Sequence, residues 1–481
     1  MKRALFFTLI AAVACTFLLT SVKTSIAMTN SPIITFRDSI NPDKLNGYWR
    51  SRGYGWVLAV KKGKIHFYNE STRHCIKDKD ATEDLDDLGK VYQISDDGQT
   101  MRLPLGDDSY FYTFDKLDRL PDSCRQKPDS TPKSVLDSFI EIFSKHYAFF
   151  NRRDINWPTV VDSTAKRVEA NMSSTELLDV IKGIISKFDD DHVSVEAKID
   201  DENVVLNARP GKTIGALSAL AGRENEDTED FVDDWLDRIW KKGIGKTLLR
   251  GDGRKAANGN IRYGLLDGDI GYLAIRSMEG LASDDDDEDK DIKAAGKAVD
   301  KALASFEGVR AVIVDVSLND GGFDQVARAI AGRFASERTL GYYKYAGDSE
   351  TDVPQAIYIE PSGKRRYTGP VYLITSDITV SAAEIFTMSM RALPNVTHVG
   401  GTTRGALSDM LWKPLPNGWK LSLSNEVYLD AERRSWEGAG IPPEVKLEVF
   451  SKKDVTAGHL NAVQAVVQLA RRNDPAPISQ H

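Results

Sequence analysis

Strand-like runs open the legible part of the chain. Gly55-Trp56-Val57-Leu58-Ala59-Val60 and Lys64-Ile65-His66-Phe67-Tyr68 are joined by a Lys-Lys-Gly turn, and Tyr110-Phe111-Tyr112 adds an aromatic run. Aromatic and β-branched residues in short runs between turns predict a small antiparallel β-domain over residues 31–126. Pro128-Asp129-Ser130 marks its end. From Lys133 the apolar period becomes helical, with Val135, Phe139, Ile142 and Phe143 on one stripe and Leu177, Leu178, Ile181, Ile184 and Ile185 on a later one. A helical subdomain over residues 133–200 follows, carrying the string Phe188-Asp189-Asp190-Asp191-His192. In residues 201–262, Phe231, Trp235, Ile239 and Trp240 predict an amphipathic helix within an insertion or linker. From Tyr263 strands and helices alternate, which predicts an α/β layer over residues 263–450. Residues 451–481 read as a C-terminal helix and tail, and no internal repeat is visible.

The first residues change the picture of where the chain works. Lys2 and Arg3 precede an apolar run from Ala4 to Leu19, and Ser25-Ile26-Ala27 offers the small residues of a cleavage site. Residues 1–27 therefore read as a signal peptide and predict a periplasmic or secreted protein. A lipid attachment at Cys15 and an uncleaved anchor are the alternatives, although the run is shorter than the roughly 20 residues of a membrane span. Removing the leader leaves Cys75 and Cys124, and an oxidising compartment predicts a disulfide between them, with two unpaired buried thiols as the alternative.

A chain of 481 residues, 41% hydrophobic and 28% charged, exceeds one ordinary domain and is globular in composition. Its net charge of -8 and lack of a clustered basic surface exclude a nucleic-acid partner. The acidic run Asp284 to Asp291 lacks the spaced carboxylates and glycine of a calcium loop and reads as solvated. The histidines show no metal-ligand spacing, and no cofactor motif is present.

Candidate chemistry sits on two strand–turn–helix units. Val309 to Val316, nearly all apolar as a strand buried on both faces should be, runs into Ser317-Leu318-Asn319-Asp320-Gly321-Gly322. Paired glycines before a helix bring free amides close to a ligand, as an oxyanion site requires, or they simply reverse the chain. The second unit is Val371-Tyr372-Leu373-Ile374, a turn, and a helix beginning at Ser381. A serine at a helix N-terminus faces unpaired amides that favour developing negative charge. Ser381 and Glu384 also satisfy a capping box, which needs no chemistry.

Several strings in order resemble peptidase family S41, the C-terminal-processing and tricorn-like proteases. VDVSLNDGGFDQVARAI resembles its Asn-x-Gly-Gly segment, TVSAAE its nucleophile segment, and WEGAGIPPEV its Glu-x-x-Gly-Ile/Val-x-Pro-Asp segment. HYAFFNRRDINW and FDDDHVSV are similar to the helical subdomain of the tricorn-like branch. The resemblance covers about residues 133–450 and implies a crotonase-like core of repeated ββα units that hydrolyses peptide bonds through an acyl-enzyme. It implies Ser381 as nucleophile, with the amides of Gly321 or Gly322 and of Ala382 as the oxyanion hole. Where the processing branch has a catalytic lysine, this chain has Arg404-Gly405-Ala406-Leu407, so the resemblance points to the Ser-His-Glu arrangement, with His192 as base and Glu437 as orienting acid. Asp191 stands where that branch has a serine, and is the alternative orienting acid. No PDZ module is visible. The expected partner is a protein or peptide substrate, without metal or cofactor. The rivals are a non-catalytic binding protein on the same scaffold, and a latent enzyme whose N-terminal domain covers the cleft.

Overall fold

The computed structural model describes residues 36–39, 42–84, 92–104, 110–165, 167–169, 171–251, 253–283, 287–347, 353–451 and 458–472. The candidate leader, Cys15 and residues 284–286 of the acidic run lie outside them. No helix among the described residues is long and apolar enough to cross a membrane.

Among the described residues, four sheets and the helices packed on them make a mixed α/β fold. The first sheet has eight antiparallel strands between Phe36 and Leu117, its core formed by Trp49, Leu58, Ile65, Met101 and Phe114. Cys75 is bonded to Cys124, tying the last strand of this sheet to the turn that leaves it. Thr131 caps the next helix, Pro132–His146, accepting a hydrogen bond from the amide of Ser134. A full capping box between Ser173 and Glu176 starts Ser174–Ile185. The two helices bury Phe139, Phe143, Ile181 and Ile184 against one another and against Phe188.

After the helices the chain turns at 186–193 and enters two strands, Ser194–Ile199 and Glu202–Asn207, which join Lys420–Ser424 and Met410–Pro414 in a four-stranded sheet. Helix Ser174–Ile185 is already closed by the turn after Ser186, and Val195 alternates with polar neighbours as a strand requires. His192 thus lies on a turn between helix and sheet. The insertion holds two α-helices, Lys212–Glu224 and Thr228–Asp237, the second continuing as a π-helix over Arg238–Leu248.

The central sheet runs in the order Arg254–Ala256, Ile261–Leu266, Ile270–Ile275, Ala311–Asp315, Val371–Thr375, Val396–Gly400 and Val445–Lys446. From Ile270–Ile275 onward its pairings are parallel, with helices Glu288–Ala304, Asp324–Ala331 and Ala382–Arg391 in the crossovers. Ala311–Asp315 and Val371–Thr375 are buried at every residue. Both end at the same edge, which brings the two turns singled out above into contact. The acidic run is more structured than a solvated loop: Asp287 caps Glu288–Ala304, and buried Asp291 accepts the amides of Leu281 and Ala282.

Candidate active site

Hydrogen bonds fasten the turn before Ser381 to its neighbour. Ser376 Oγ donates to the Ser317 carbonyl at 2.6 Å, Thr379 Oγ1 to the Val316 carbonyl at 2.8 Å, and the Val380 amide to the Asn319 carbonyl at 3.2 Å. Ser381 has φ 57° and ψ −130°, a conformation L-residues avoid, and its side chain caps nothing. The capping box is therefore absent. Glu384 instead accepts from Thr403 Oγ1 at 2.5 Å and from the amides of Gly405 and Ala406 at 2.8 Å each. Burial pushes its carboxyl up to about 7, against those hydrogen bonds. Residues Ala382 to Met390 are buried, so the serine stands on a helix sunk into the core.

Gly321 and Gly322 have φ of 112° and 123°. A Cβ on Gly321 would lie 2.7 Å from that of Ser381, and one on Gly322 2.4 Å from the Met278 carbonyl carbon. Only glycine lets this turn press against the serine. The Gly321 amide is spent on Asn319 Oδ1 at 2.9 Å. The amides of Gly322 and Ala382 have no acceptor among the described residues, and the hydroxyl of Ser381 has no hydrogen-bond partner there.

His192 is buried. Its amide donates to Asp190 Oδ1 at 3.1 Å, its carbonyl accepts from Ser422 Oγ at 2.8 Å, and its Nδ1 is buried without a partner. No hydrogen bond joins its ring to Ser381 among the described residues. Burial pulls the imidazole below its usual 6.5, opposed in order by Asp190, Asp409 and Asp191. Asp190, fully buried, accepts from Tyr147 Oη at 2.8 Å and Ser424 Oγ at 3.1 Å, and lies 3.2 Å from Arg153 Nε.

Glu437 does not touch the imidazole. One of its oxygens accepts from Arg153 Nη2 at 2.5 Å, the other from the amides of Leu407 and Ser408 at 2.8 and 3.0 Å. Burial and then Asp190 push its carboxyl up, and Arg153 opposes them. Glu437 reaches the histidine's segment through Arg153, which lies against Asp190 and donates to the Asp189 carbonyl. Asp191 is also engaged elsewhere: both its oxygens accept from Arg404 at 2.9 Å, and Arg404 holds Asp189 at 2.7 Å. Because the Arg404 amide donates to the Thr379 carbonyl at 2.9 Å, this arginine ties the aspartate string to the nucleophile turn.

Arg153, Asp190 and Asn319 were not singled out for these positions in the sequence. Arg153 lies in an Asn-Arg-Arg-Asp string that reads as a solvated surface, and an arginine needs a buried acid partner, here Glu437 284 residues away, to be seen otherwise.

A strained, uncapped serine at a helix N-terminus, set against a glycine turn whose Gly322 amide is without an acceptor among the described residues, has the arrangement that a serine nucleophile requires. Residues 269–447 match the model of Peptidase family S41. Over 156 residues it is 26% identical to the carboxy-terminal processing protease CtpA of Bacillus subtilis (strain 168), covering 32% of each chain, so the match spans about a third of that relative's length. Among solved structures, a putative peptidase from Parabacteroides merdae ATCC 43184 is 25% identical with a TM-score of 0.55, over 73% of this chain and 100% of the other. Mature CPAF shares the fold at 12% identity and a TM-score of 0.52, over 72% of this chain and 98% of its own.

Proposed function

We propose that this chain is a member of peptidase family S41, an exported serine endopeptidase that cleaves protein or peptide substrates through an acyl-enzyme on Ser381. The observation that carries the reading is the strained Ser381, its hydroxyl uncapped beside the Gly321-Gly322 turn. The alternating strands and helices of the central sheet support a crotonase-like core. The apolar leader with its Ser-Ile-Ala site supports export to the periplasm or beyond.

In this mechanism His192, neutral at physiological pH because burial lowers its proton affinity, takes the proton as Ser381 Oγ attacks the scissile carbonyl. The carbonyl oxygen moves towards the amides of Gly322 and Ala382, and Gly321 fixes the turn through Asn319. His192 then protonates the leaving amine and activates the water that releases the acyl group. Asp190 is the carboxylate that faces the imidazolium most closely in electrostatic terms, and Glu437 acts at one remove by holding Arg153 and the loop at 407–408.

The test is cleavage of an unfolded protein by residues 28–481, with chelator present, beside the Ser381→Ala variant. The expected result is loss of turnover in the variant by roughly ten-thousand-fold or more. Equal cleavage by both chains overturns the assignment. The missing hydrogen bond between His192 and Ser381 favours a second reading, a binding protein on the same scaffold. No cleavage by either chain, with both folded, would favour that reading.

A further inference from the structure

Beside Arg153, and bordered by Lys187 and Asp189 of the turn that carries His192, the surface sinks into a recess of about 620 Å³ lined also by Arg152, Arg209 and Gly438. The side chains of Arg152 and Lys187 make no ion pair or hydrogen bond with any described residue. Arg209 reaches only backbone carbonyls, those of Phe188 and Lys187 at 3.5 and 3.4 Å. Two acids also line the recess. Asp189 is held by Arg404 at 2.7 Å, which leaves Asp154 as the one acid lining it without an ion pair among the described residues. In a chain of net charge -8, three basic residues lining one concavity without an ion pair, against one unpaired acid, leave a local positive excess. Guanidinium and ammonium groups around one recess recognise oxyanions through charge-assisted hydrogen bonds.

We propose that this recess is a binding site for a multiply charged oxyanion, a phosphate or the clustered carboxylates of an acidic peptide. It does not use Ser381 and does not rest on the peptidase reading. Its occupant would lie beside Arg153, the group that joins Glu437 to Asp190, so occupancy and the arrangement around His192 are linked through one side chain.

The experiment titrates inorganic phosphate, and separately a blocked tri-glutamate peptide, into the Ser381→Ala chain by calorimetry at low ionic strength. The same titrations are made on that chain carrying Arg152→Gln and Lys187→Gln. Both positions are exposed, and thermal unfolding checks that the variant folds. Saturable binding of either probe, weakened about tenfold or more in the double replacement, supports the site. Binding of phosphate alone assigns it to small anions, and binding of the peptide alone to acidic polypeptide segments. Absence of saturable binding by both probes, or equal binding by the two chains, overturns it.

Discussion

Ser381 combines two demands that conflict in ordinary protein: a side chain is needed, and the backbone is one that only glycine adopts freely. Replacing Ser381 by glycine should therefore give a more stable chain than replacing it by alanine, by about 1 kcal/mol. Urea unfolding of the two variants measures the difference, and equal midpoints would mean that the turn stores no strain. His192 yields a second expectation. Its imidazole is pulled below 6.5, and the base fails only when protonated, so activity should fall on the acid side at a pH below that value. A kcat/KM profile locates the limb, and one centred above 6.5 would contradict the burial argument. The sequence made Ser381 and the paired glycines legible because their chemistry is local, a serine and a turn at helix starts. It left Arg153, Asp190 and the partners of Glu437 illegible, since each owes its role to residues hundreds of positions away.

Among the elements, the strands buried on both faces were the most readable, being apolar runs such as Val371 to Ile374. The sheets that assemble distant segments were not. Pairing of Ser194–Ile199 with Lys420–Ser424 depends on register between parts of the chain more than 200 residues apart, which no local pattern encodes. The C-terminal helix His459–Arg472 illustrates how such a distant element bears on the site. His459 Nε2 lies 2.9 Å from Asp315 Oδ2, while Asp315 also accepts from Tyr272 Oη at 2.6 Å and from the Ser317 amide at 3.0 Å. Asp315 ends the strand that leads into the glycine turn, and His459 helps to hold its buried carboxyl below the usual range. His459→Ala removes one partner of a buried pair and should cost about 3 kcal/mol of stability. Chemical denaturation tests this, and a loss within the scatter of surface substitutions would remove the helix from the site's support.

The whole molecule encloses several carboxyls whose proton affinity folding raises. Burial brings Glu384 and Glu426 up to about 7 and Asp324 up to about 6. Around the last two, Lys344 opposes the shift and Asp409 adds to it, with the Tyr428 and Tyr54 hydroxyls donating to the carboxylates. The folded chain retains these protons where the unfolded chain has released them, so folding takes protons up. Stability is full below the ordinary carboxyl range, near 4, and declines as pH rises through about 7. Melting temperatures at pH 5 and pH 8.5 should differ in that sense, and Glu384→Gln should narrow the gap; a higher melting temperature at pH 8.5 would refute it. The β-domain enters this network directly. Tyr54 donates to Glu426 at 2.7 Å, Phe111 and Gln355 exchange two backbone-to-side-chain bonds at 3.0 and 2.8 Å, and Lys413 reaches the Gly55 carbonyl and Asn69 Oδ1 at 3.2 and 2.9 Å. Those partners are synthesised far apart in time. Tyr54 and Glu426 are 372 residues apart, and at about 5–20 residues per second the first must wait roughly 20–75 seconds for the second. A nascent chain therefore carries its oldest domain unfinished on one face until almost its youngest strand has been made, and the buried network is completed late in the protein's birth.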